Sequence, residues 1–124
     1  MSDFNKVIEL GRLTKEVELT YTSGGQAKAR FSIAVNRRWK NKEGEKQEET
    51  SFIPVTAWGR QAEAIAQFFK KGDPILVEGR LRTFSYEKDG AKVYSFEVVM
   101  EKFEFMSKSD SGSGESVNPD DIPF

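Results

Sequence analysis

The chain has 124 residues, enough for one ordinary domain with a short extension, and it contains neither cysteine nor histidine. Those absences remove disulfides, thiolate and imidazole zinc sites, and the Ser-His-Asp and Cys-His nucleophilic systems, so neither a metal, a cofactor nor an enzymatic role is expected. Net charge is −1 but uneven: residues 107–124 set one lysine against Asp110, Glu115, Asp120 and Asp121, leaving a body of net +2 before an acidic tail.

In chain order, "NKVIELGRL" (5–13) reads as a first strand whose glycine marks a bend or bulge. A short extended piece around "ELTY" and a turn at "SGG" (23–25) follow. The segment 26–39 alternates: Ala29, Phe31, Ile33 and Val35 face one way, Lys28, Arg30, Ser32 and Asn36 the other. Polar "KNKEGEKQEE" (40–49) is expected to be an exposed hairpin loop, and 50–58 a third strand. Spacing then becomes helical over 60–73, with Ala62, Ile65, Ala66 and Phe69 on one stripe, Lys70 and Lys71 in the last turn complementing the dipole, and Gly72 as the stop. A fourth strand (74–86), a turn at "EKDG" (87–90) and a fifth strand (91–105) complete the body; from Ser107 onward serine, glycine and acid predict a disordered tail. This predicts an all-β domain over 1–106, a five-stranded Greek-key barrel of the OB type with one short helix between strands three and four, and a tail over 107–124.

Strand parity also points to function. In the third strand Ile53, Val55 and Ala57 suffice for a core face, while Phe52 and Trp58 share the opposite face with Pro54 and Thr56. In the fourth, Ile75, Val77 and Leu81 are expected in the core, and Arg80, Arg82, Phe84 and Tyr86 outside it. Trp39 ends the second strand beside Arg37, Arg38 and Lys40; strict alternation places it with Phe31 and Val35, so a bulge is needed to bring it to the outer face. Aromatic faces interleaved with basic residues suit sequence-tolerant binding of single strands, since each base offers a π-face and each nucleotide a phosphate.

The stretches "NKVIELGRL", "ARFSIAVNRRW", "EETSFIPVTAWGRQAEAIAQFFKKGDPILVEGRLRT" and the closing "DDIPF" together resemble the bacterial single-stranded DNA-binding proteins over nearly the whole chain. The resemblance implies that Trp39, Phe52, Trp58 and Tyr86 stack on bases, that Arg60, Lys71 and Arg82 lie near phosphates, and that the chain assembles as a homotetramer. It further implies that Asp120, Asp121, Ile122, Pro123 and Phe124 dock replication, recombination and repair proteins. The ring of Phe124 suits an apolar pocket, its carboxylate a basic rim, and Pro123 limits the freedom lost on binding. The chain departs from many relatives at Glu16-Val17-Glu18, where they carry Asp-Pro-Glu, and at Ile53, where some carry an assembly histidine. No apolar run is long enough to span a bilayer and "MSDFNKV" lacks a signal-peptide layout, so a cytoplasmic protein without membrane contact is expected, and the resemblance implies that it is nucleoid-associated.

Overall fold

The computed structural model describes residues 3–106. Its elements run β1 (Val7–Leu13), β2 (Glu18–Tyr21), β3 (Ala27–Lys40), β4 (Lys46–Trp58), α1 (Arg60–Phe68), β5 (Pro74–Lys88) and β6 (Ala91–Phe105). The sheet order β1-β5-β6-β4-β3-β2 is closed by a further β1–β3 pairing, and β4 meets β6 in parallel at Val55↔Val98 and Thr56↔Val99. The result is the expected five-stranded OB barrel, with its first strand in two pieces. β1 reaches β3 at Leu13↔Ile33, and β2, the extended "ELTY", continues along it from Glu18↔Arg30 to Tyr21↔Ala27.

Gly11 in β1 marks a close approach, with no register shift along its pairing to β5. A β-carbon there would lie 2.6 Å from the Ala34 carbonyl oxygen, so only glycine lets β1 pass against β3. The register shift falls instead between β5 and β6: Glu78 pairs with Lys102 and Gly79 with Met100, leaving Glu101 as the extra residue. At the far end of that hairpin Asp89 and Gly90 both have positive φ, the geometry that an Asp-Gly turn supplies between twisted strands.

Phe31, Ile33, Val55, Val77 and Val98 fill the barrel, and α1 seals it with fully buried Ala62 and Ile65. The helix is shorter than its periodicity predicts. Phe69 is extended rather than helical, and its buried ring packs on Phe103 at 5.7 Å and Phe105 at 5.5 Å. Lys70 and Lys71 therefore lie beyond the last helical turn and do not complement the dipole. Lys70 N–H instead donates to Asp73 Oδ2 at 2.8 Å, and Gly72 N–H donates to the Leu13 carbonyl at 2.8 Å, which ties this turn to β1.

Two further expectations change. The polar stretch expected as a loop is mostly strand: β3 and β4 stay paired out to Lys40↔Lys46, leaving residues 41–45 as the connection. Asn41 closes it, its Oδ1 accepting from Glu43 N–H at 3.0 Å and Glu45 N–H at 2.8 Å. Leu81, expected in the core, is 42% exposed because the β5–β6 hairpin leaves the barrel there. The side chain of Asn5 stands in for a neighbouring strand, exchanging bonds with the Leu81 carbonyl (2.8 Å) and N–H (2.9 Å).

Candidate nucleic-acid interface

β3 and β4 pair without a break from Lys28↔Trp58 to Lys40↔Lys46, so parity fixes which side chains share a face. Ala29, Phe31 and Ile33 of β3 and Val55 and Ala57 of β4 point into the barrel. The outer face carries Lys28, Arg30, Ser32 and Ala34 opposite Trp58, Thr56, Pro54 and Phe52. Phe52 is exposed; Trp58 is half-buried, with Lys28 Nζ 5.2 Å from its ring centroid.

The β5–β6 hairpin folds over this face and is anchored by one carboxylate. Glu97 accepts from the buried Thr56 hydroxyl through Oε1 at 2.5 Å and from Arg82 Nη1 through Oε2 at 2.8 Å. That contact puts Arg82 on the outer side, and alternation carries Phe84 and Tyr86 with it. The Arg82 guanidinium lies 5.0 Å from the Phe84 ring, and the Phe84 and Tyr86 rings are 6.4 Å apart at 31°.

Phe52 and Trp58 thus lie on the outer side of β4, and Arg82 and Tyr86 on the outer side of β5. Trp39 does not join them by register. The β3–β4 ladder has no bulge, so Trp39 keeps the parity of Phe31 and Val35. It is exposed because the β3–β4 arm extends beyond the barrel there, and the Arg37 guanidinium stacks 4.4 Å from its ring. Arg60 opens α1, two residues beyond Trp58, and Lys71 lies in the turn before β5, its N–H 3.4 Å from Glu16 Oε1.

Ion pairing separates the cations free to meet phosphate from those already neutralised. Lys6 bridges Glu78 (3.1 Å) and Glu101 (3.4 Å), which raises its pKa, and Arg80 also reaches Glu101 at 3.7 Å. Arg38 pairs with Glu48 at 2.9 Å and Lys15 with Glu18 at 3.6 Å. Among the described residues Lys28, Arg30, Arg37, Arg60 and Lys71 form no ion pair. Lys28 and Arg30 are additions to the candidate set. Their alternation with core residues was the signal, whereas the role of Glu97 depends on a strand pairing that sequence spacing does not reveal.

The sequence model of the single-strand binding protein family matches residues 4–106, the whole of this barrel. The chain belongs to that family. A family relative, single-stranded DNA-binding protein 1 of Streptococcus pyogenes serotype M18, is 42% identical over 120 residues, covering 96% of this chain and 91% of its own length. The single-stranded DNA-binding protein of Thermus aquaticus, solved as a deletion mutant, superposes with a TM-score of 0.76 at 32% identity; the match takes in 86% of this chain and about half (52%) of that one. A Plasmodium falciparum family structure, solved in complex with single-stranded DNA, shares the fold at a TM-score of 0.80 and 21% identity, over 86% of this chain and 98% of that one. Residues 120–124, which the resemblance implies dock partner proteins, lie outside the described residues. Within the described residues no helix is long and apolar enough to cross a membrane.

Proposed function

We propose that this protein binds single-stranded DNA across the outer face of β3, β4 and the β5–β6 hairpin, without sequence preference. The carrying observation is that Phe52 and Trp58 lie on the face the core does not use, beside Lys28 and Arg30, which no carboxylate among the described residues neutralises. Base stacking on Phe52, Trp58 and Tyr86, with phosphates on Arg30, Arg60 and Lys71, and on Arg82 where it exchanges Glu97 for a phosphate, is sequence-tolerant because it reads ring faces and backbone charge. Trp39 contributes from the β3–β4 arm, where a strand passing over the arm meets its ring once Arg37 swings aside.

Family membership supports a wider role: coating and protecting single strands in replication, recombination and repair, as a homotetramer in the cytoplasm and nucleoid. Among the described residues, β1 is paired on one edge only along residues 7–11, so a second copy has backbone groups to add to. The barrel (1–106) is then the DNA-binding unit, and the tail (107–124) carries Asp120, Asp121, Ile122, Pro123 and Phe124 to docking sites on partner proteins.

Tryptophan emission reports the first claim. Oligo-dT is expected to quench Trp58, and Trp58→Ala to weaken binding by about 1–3 kcal/mol. Unchanged affinity in a folded Trp58→Ala protein would remove Trp58 from the interface, and equal affinity for oligo-rU would favour an RNA-binding role.

A further inference from the structure

Like Trp58, Phe84 is an aromatic of the outer surface that packs neither in the barrel core nor openly in water. It is half-buried, between Arg82 and Tyr86 on the same side of β5. It lines a cleft of about 170 Å³, together with Pro54 and Thr56 of β4, Arg30 of β3, Lys15 and Glu97. That space is smaller than the roughly 300–1,000 Å³ of pockets that enclose a whole small molecule, but it admits one planar ring.

We propose that this cleft holds a single nucleobase of the bound strand, stacked on Phe84, with the adjoining phosphate on Arg30. The proposal rests on the single-strand reading above and adds Phe84, which strand parity places on the outer face but which is not among the four expected stacking residues. Three observations converge on it. The Arg82 guanidinium at 5.0 Å and the tilted Tyr86 ring at 6.4 Å and 31° flank Phe84 along β5 and narrow the positions its ring can take before ligand arrives. The cleft is lined by both apolar and polar groups, as a base with a π-face and a polar edge requires. Arg30 sits on the lining without a carboxylate partner among the described residues, whereas Lys15 is taken by Glu18 and Arg82 by Glu97.

The test compares wild type, Phe84→Ala and Phe84→Leu in full-length protein, titrated with oligo-dT and with an abasic deoxyribose-phosphate oligomer of equal length. Stacking on one base predicts a loss of roughly 5- to 150-fold on oligo-dT for both variants. On the abasic strand all three proteins should bind alike, since no base is there to stack. Leucine keeps the apolar bulk without a π-face, so a Phe84→Leu protein that matches wild type on oligo-dT overturns the proposal. A deficit that persists on the abasic strand does so too, because Phe84 would then be shaping the hairpin. If wild type itself fails to bind oligo-dT, the single-strand reading fails first, and the intact protein shows it.

Discussion

Replacing Glu97 with glutamine is expected to lower stability while raising affinity for DNA. In the free protein Glu97 Oε2 sits 2.8 Å from Arg82 Nη1, with side-chain exposures of 15% and 53%. An ion pair with one partner this wet contributes about 0.2–1 kcal/mol. Glutamine still offers the Thr56 hydroxyl an acceptor, so the Arg82 contact is the main loss. A deficit near 1 kcal/mol lowers Tm by roughly 4–8 °C in a domain of ~100 residues. Binding should move the other way. The substitution takes a negative charge out of the groove and releases a guanidinium to neutralise a phosphate. One added contact steepens the slope of log affinity against log salt by about 0.7, a roughly fivefold larger gain on going from 1 M to 0.1 M salt. Thermal melting, with tryptophan quenching by oligo-dT at several salt concentrations, measures both effects. If affinity falls in step with Tm, or the slope flattens, Glu97 shapes the groove and does not restrain Arg82.

Gly79→Ala should cost about 1–3 kcal/mol or more, because a β-carbon there would lie 2.1 Å from the Val99 carbonyl oxygen; a melting temperature near wild type would contradict this packing. Phe69→Ala should lose about 3–5 kcal/mol and its neighbour Phe68→Ala no more than roughly 0.5, since the first ring is buried and the second is 63% exposed; similar denaturant midpoints would refute the helix end described above. The Tyr21 hydroxyl donates to Glu63 Oε2 at 3.1 Å, which holds its pKa above the usual phenol range. Glu63→Gln should bring phenolate formation at Tyr21 to lower pH in a spectroscopic titration, and an unmoved curve would discount the contact. Removing residues 120–124 should leave melting and oligo-dT affinity intact but abolish capture of replication and repair proteins; a truncated chain that still captures them would make the segment a solubilising extension.

Where one side of a strand is wet and the other dry, the sequence was readable. Ala29, Phe31 and Ile33 disclose β3, and the parity of Phe52 and Trp58 separates an outer face from the core before any coordinates. The misreadings come from places where that contrast fails. Both faces of the β3–β4 arm are solvated, so residues 46–49 carry no alternation, yet they pair, with Arg38–Glu48 and Thr50–Asn36 contacts across the ladder. The same solvation makes a bulge at Trp39 unnecessary. At the helix end, periodicity continues through Phe69, but burial against Phe103 and Phe105 outweighs helical propensity. Leu81 keeps a core parity in a hairpin that has left the core. The Thr56–Glu97–Arg82 connection joins residues 41 and 15 apart in sequence, through a barrel closure that local pattern does not encode.

The ladder of the β3–β4 arm has a kinetic consequence. Beyond the barrel it is held by cross-strand bonds with almost no apolar burial, so its opening free energy should decline toward the tip while the barrel stays shut. Amide hydrogens would then exchange in a gradient, fastest beside Asn41 and slowest near Ile33. Trp39 rides on the part that frays first. In the binding mode proposed above, a strand at Trp39 meets a platform that yields while the barrel beneath stays shut.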